Sequence, residues 1–320
     1  MALRSPTIGT PGPDGLPVAG AARTSAAAGL AWSGPLLAIT GAVAFSGKAI
    51  IVKLAYRHGV DAITLITLRM LVALPFFLAM VWWSGRGRPA LTWREKATVV
   101  LLGFLGYYLA SLLDFLGLQY ISASLERLIL YLSPAMVLVL SWALHGQRTH
   151  LRQWLAMAVA YAGLLLVFGH EVQLGGRQVW LGGALVLGST VSYALYLLYS
   201  GAWVRQIGAS RLTGWASSVA CGLCLAQFAL LRPWHSLLDW PADVGWLSLI
   251  NGTVCTVLPV WLVMRAIERI GPALTSQLGM VGPVSTLVLG VLLLGEPMTV
   301  WVGAGSLCVL AGVTLLARAR

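Results

Sequence analysis

The chain matches itself without a gap at an offset of 149 residues. Gly59 aligns with Gly208, Thr64 with Thr213, Gly103 with Gly252, Leu109 with Leu258 and Ile121 with Ile270. The same register pairs Pro134 with Pro283, Leu144 with Leu293, Gly146 with Gly295 and Gly163 with Gly312. The chain therefore reads as a tandem duplication, over residues 34–170 and 183–320. Each half holds five apolar segments, predicted at 35–57, 62–83, 97–119, 123–145 and 152–169, then 180–202, 211–231, 245–264, 272–294 and 299–317. An odd number of crossings per half makes the second half enter the membrane upside down. Inverted repeats of this kind put a binding site near the midplane, between the halves.

Composition decides what these segments are. Hydrophobic residues make up 58% of the chain and charged residues only 10%, against about 25% in a soluble domain. Runs of 18 or more apolar residues are long enough to cross ~30 Å of hydrocarbon. Backbone groups must be satisfied internally there, so the expected fold class is an all-α membrane protein of ten transmembrane helices in two inverted five-helix repeats. The net charge of +11 is a topology signal and not a nucleic-acid footprint. Fourteen of the 21 basic residues fall on the side of the chain termini, while Arg57, Arg177 and Arg232 fall on the other. That bias predicts cytoplasmic termini. Residues 1–33 lack the apolar core of a signal peptide and are expected to be a disordered tail.

Chemistry is confined to a few polar residues within spans, where charge is costly and marks function by default. Lys48, Lys53, Arg69, Asp114, Glu126 and Arg127 all lie in the first half. Their counterparts include Leu197, Ala202, Ser218, Val263 and Thr275, so the duplication is chemically asymmetric. Lys53 and Arg127 lie near span ends, where interfacial anchoring by snorkelling is an alternative to a site role. Lys48 lies too deep for that and is expected to face the interior. Arg69 either pairs with Asp114 or Glu126 or meets a substrate. Asp114 shares one helical face with Gly103, Gly106, Ala110 and Gly117, a small-residue stripe that marks a packed or cavity-lining surface. Tyr193, Tyr196, Trp261 and Ser276 are candidates for the neutral and aromatic part of a cavity. Pro134 and Pro283 occupy equivalent mid-span positions and are hinge candidates.

No nucleotide-binding loop, nucleophile elbow or HExxH is present, and the five histidines form no ligand cluster. Cys221, Cys224, Cys255 and Cys308 lie inside spans and read as packing residues. No catalytic residue, metal ligand or cofactor is expected, and no enzymatic activity.

Several stretches carry a family resemblance: Thr67-Leu68-Arg69, Ser133-Pro134, Gly282-Pro283, Gly295-Glu296-Pro297, Gly303 and Leu310-Ala311-Gly312-Val313. On these the chain resembles the drug/metabolite transporter superfamily, in its ten-span branch with two EamA-type repeats. The resemblance implies a bacterial inner-membrane secondary transporter, often an exporter of amino acids or related metabolites. Two departures matter. The turn after span 4 is Gly146-Gln147-Arg148 and lacks the glutamate of Gly295-Glu296-Pro297. Small four-span relatives couple protons through a span-1 glutamate, whereas this chain has Lys48 in span 1.

The leading expectation is export of a small polar metabolite, an amino acid or organic anion, by alternating access. Lys48 and Arg69 would attract the anionic group, and Asp114 and Glu126 would orient them or bind a coupling proton. Two alternatives stand beside it: efflux of aromatic or cationic amphiphiles, and a non-transporting membrane scaffold. The partners implied are a small-molecule substrate and the lipid bilayer, with no nucleic acid; a monomer and a homodimer both fit.

Overall fold

The computed structural model describes residues 21–146, 150–237 and 239–318, with side chains from Gly34 onward apart from those of 272, 273 and 276. All regular structure among these residues is helical. Among the described residues, nine helices are long and apolar enough to cross a membrane. They are α1 (Ala21–Tyr56), α2 (Ala62–Gly85), α3 (Trp93–Leu118), α4 (Ala123–His145), α5 (Leu151–Gly175), α6 (Arg177–Ile207), α7 (Ala209–Leu231), α8 (Ala242–Gly271) and, last in the chain, α10 (Val300–Arg318). Between α8 and α10 lies a shorter apolar helix, α9 (Val281–Leu294).

The predicted ninth span, 272–294, is not one continuous helix: it is preceded by a break at Gly271 and interrupted by a turn at Gly279 and Met280. Gly271 has φ +78°, a left-handed conformation that costs glycine little and ends α8. A short helical piece follows to Leu278, and a turn at Gly279 and Met280 separates it from α9. The fourth span is interrupted at the equivalent place. It runs Ala123–Tyr131 (α4a), leaves the helix at Leu132 and resumes as Ser133–His145 (α4b), with Pro134 in the first turn, where its missing N–H has no partner to lose. The expected disordered tail is only partly addressed. Residues 1–20 lie outside the described residues, whereas 21–33 are helical and continuous with α1. Their alanine-rich sequence accounts for that, since alanine has the highest helix propensity.

Helix starts are set locally. Asp61 caps α2, accepting from the backbone N–H of Ile63 at 3.0 Å and Thr64 at 3.1 Å. Thr92 and Glu95 form a reciprocal capping box at α3. A π-helical turn over Phe104–Leu109 in α3 recurs over Thr253–Val257 in α8, again at the repeat offset. Such turns shift the helix face and are frequent at functional sites.

The two halves pack by a symmetric scheme. α2 packs on α7 and α5 on α10, each a helix against its own copy. The contacts of α1 with α8 and α9 are matched by those of α6 with α3 and α4. Glycines set the closest approaches. A Cβ on Gly163 of α5 would stand 2.6 Å from the carbonyl oxygen of Gly305 in α10. At the same crossing, transposed by the repeat offset, a Cβ on Gly312 would stand 2.7 Å from the carbonyl oxygen of Ala156. Small residues allow backbones this close, where dispersion holds membrane helices together. The interior left between the halves is where the polar residues gather.

Candidate functional site

Three elements of the first half build a charged cluster. α1 supplies Lys48, α3 supplies Asp114 and α4a supplies Glu126. The Lys48 ammonium donates to Asp114 Oδ2 and lies 3.2 Å from Glu126 Oε1. The three side chains are 7%, 3% and 0% exposed. One cation therefore serves two carboxylates. Asp114 Oδ1 and both Glu126 carboxylate oxygens find no hydrogen-bond partner among the described residues, so Glu126 meets Lys48 as an ion pair alone. The triad carries net −1 with both carboxylates ionised, and a single proton would neutralise it.

Two further cations stand close by without a carboxylate. Arg69 of α2 donates from Nη2 to Ser111 Oγ at 3.3 Å, and its guanidinium lies 5.0 Å from the Phe115 ring centroid. Arg127 of α4a donates to Ser46 Oγ at 3.3 Å and lies 5.0 Å from the Phe45 ring centroid. Neither has an ion-pair partner among the described residues, and the Nε of each makes no hydrogen bond. Aromatic faces offset part of their desolvation. Gly282 makes room for Arg127, since a Cβ there would come within 2.8 Å of its guanidinium. With all five groups ionised the region carries three positive and two negative charges.

These residues border a cavity of about 350 Å³ between the repeats. Lys48, Arg69, Asp114 and Arg127 give it a polar region. Phe45, Phe77, Tyr107, Tyr131 and Tyr193 give it aromatic walls, with Ser111, Ser133, Ser189, Ser217 and Thr256 between them. The second half contributes through α6, α7 and the π-helical turn of α8.

The sequence candidates are distributed unevenly around this space. Lys48, Arg69, Asp114 and Tyr193 line it; Glu126 stands behind Lys48. Tyr196 is buried one layer back, its hydroxyl 3.2 Å from that of Tyr107 and its ring stacked on Tyr193 at 5.6 Å. Trp261 points the other way. It is 48% exposed, with the Arg265 guanidinium 5.7 Å from its ring, and the cavity is met instead by its neighbour Val260. A one-residue step around a helix turns the side chain by about 100°, enough to exchange interior for exterior. The Ser276 side chain lies outside the described residues. Pro134 and Pro283 each stand just beyond a helix break. An ion pair between Arg69 and a carboxylate is not formed, because Lys48 takes both acidic partners. Arg127, read from sequence as a possible interfacial anchor, lines the cavity. Its helical spacing from Leu130 and Tyr131, which also line it, was the available signal.

A two-repeat helical membrane fold enclosing a charged, aromatic-walled space between its halves is the architecture of a small-molecule carrier. The EamA-like transporter family model matches residues 32–169 and 180–318, and the chain belongs to that family. Among its relatives is an uncharacterized transporter of Bacillus subtilis (strain 168), YcbK, 28% identical over 82% of this chain and 86% of that protein. A WAT1-related protein of Arabidopsis thaliana, At4g08300, is 23% identical over 84% of this chain and 80% of its own length. A solved crystal structure of a protein aligns with TM-score 0.60 at 18% identity, over 89% of this chain and 97% of that one. That likeness shows the fold alone.

Proposed function

We propose that this multi-pass membrane transporter is a secondary exporter of a small organic anion, such as an amino acid or another carboxylate metabolite, by alternating access across a bacterial inner membrane with both termini cytoplasmic. The observation that carries the reading is the pair Arg69 and Arg127: two guanidinium groups on one cavity, neither neutralised by a carboxylate. Buried cations are unfavourable unless paired, and an anionic ligand would complete them. Arginine suits this task because its planar fork matches a carboxylate. Lys48, already held by Asp114 and Glu126, would take part through charge exchange. Binding of one proton by the Asp114–Glu126 pair would remove the net negative charge of the triad, which gives proton coupling a place to act.

The aromatic walls support a substrate with an apolar body. They do so without favouring a cationic one, since the cavity's charge balance is positive. The test is a thermal-shift screen of the purified chain against amino acids, organic acids and amphiphilic cations. A ligand that binds only the folded state at 100 times its Kd stabilises by about 2.7 kcal/mol. Carboxylates are expected to raise Tm and cations to leave it unchanged. Arg69→Met should weaken the best carboxylate by about 10- to 150-fold, the worth of one charge-assisted hydrogen bond. Stabilisation by cations alone would reject the anion reading.

A further inference from the structure

At the Tyr56 end of the bundle, the turn between α9 and α10 reaches across to the first repeat. Glu296 in that turn accepts from the Ala123 N–H at 2.7 Å, the Ser124 N–H at 3.2 Å and the Ser124 hydroxyl at 2.6 Å. Ala123 and Ser124 open α4a, where the first amides of a helix have no partner within it. A carboxylate there satisfies them and also meets the positive end of the helix dipole. Ordinarily such a cap is local, as Ser122 is for the Leu125 N–H at 3.0 Å. Glu296 comes instead from the other repeat. Gly290 keeps its slot open, since a Cβ there would stand 2.9 Å from Glu296 Oε2.

The element so held is a nine-residue lever. α4a carries Glu126 and Arg127, and at its far end the helix is broken at Leu132, just before Ser133 and Pro134. One end is tied to the second repeat through a carboxylate; the other is a break that leaves α4a and α4b as separate helices. The sequence offers no counterpart to this tie in the other half, where the equivalent turn reads Gly146-Gln147-Arg148.

We propose that Glu296 is a positioning residue for the charged site: it holds α4a so that Glu126 reaches Lys48 and Arg127 reaches the cavity, and its release lets α4a swing about the break at Leu132. The functional weight of this latch rests on the cluster being the transport site, but its mechanical content does not.

Hydrogen–deuterium exchange of the full-length protein tests it. In Glu296→Gln, amides of residues 123–131 should exchange about 5- to 30-fold faster, the range for losing a helix cap. Exchange over 133–145 and in α10 should stay as in the native protein. Glu171→Gln should leave 125–131 unchanged, because Glu171 holds only Ser122, within the same repeat. Ser124→Ala, which removes one of the three bonds, should accelerate the same segment by less. Unchanged exchange over 123–131 in Glu296→Gln would overturn the proposal. Equal acceleration over 133–145 would also overturn it, since that is the mark of general destabilisation. If Glu296→Gln does not fold, absence of any change in Ser124→Ala overturns it instead. No flux is measured, so the result stands apart from the substrate assignment.

Discussion

Lys48 was legible as an interior residue from its depth alone, and its partners were legible as types. What the sequence left open was the pairing. One ammonium holding two carboxylates means that deletion of Lys48 strands two buried acids, not one. Removing one side of a buried ion pair typically costs 3–5 kcal/mol, because an uncompensated charge is left in low dielectric. Lys48→Met is therefore expected to lower unfolding stability in detergent by about that amount. The triple variant with Asp114→Asn and Glu126→Gln should recover most of it. A Lys48→Met protein as stable as the native one would show that the cluster is not an electrostatic unit. The same geometry explains why Arg69 and Arg127 remain available. The acidic residues are taken by Lys48, a buried cation on another helix.

Helices carry the next level of information. The breaks in the fourth and ninth spans, and the π-helical turns in the third and eighth, recur at the repeat offset. They aim specific residues, among them Tyr107 and Thr256, at the cavity. The glycine pattern was legible, but its use depends on the partner helix. Gly163 and Gly169 both lie in α5. A Cβ at Gly163 would meet the α10 backbone at 2.6 Å, while one at Gly169 meets nothing within 4 Å. Gly163→Val is expected to cost about 1–3 kcal/mol by overpacking the α5–α10 crossing. Gly169→Ala should be neutral or stabilising by about 0.5–1 kcal/mol, since alanine loses less backbone entropy in a helix. Thermal unfolding of the two variants gives the comparison. Equal losses would mean that the crossing is looser than the backbone distances state.

At the scale of the whole molecule, the largest cross-repeat contacts follow the offset, α2 on α7, α5 on α10 and α1 on α8 and α9 as α6 on α3 and α4, whereas the packing of α4a on α9 and α10 has no match of comparable size. Five crossings per half reverse the second half relative to the first, which is the arrangement in which two similar halves can exchange roles on either side of a central site. The basic residues crowd the side of the termini. A reporter active only in the periplasm, fused after Arg320, should be silent, and one active only in the cytoplasm should report strongly. The opposite pattern would reverse the orientation and with it the direction in which the Glu296 latch faces.

The sequence by itself determined the class of molecule: the duplication, the helical membrane fold and the short list of buried polar residues. These follow from local and periodic physics, in which lipid forbids unpaired backbone and penalises charge wherever it lies. Tertiary structure decided which of those residues meet. Lys48 was given both carboxylates, Arg127 was turned inward, Trp261 was turned outward, and Glu296 was brought across the repeat boundary onto Ala123 and Ser124. The reason is geometric. A single residue step rotates a side chain by about 100° on its helix, and a contact between residues more than 170 positions apart depends on how two helices cross, which no local pattern encodes.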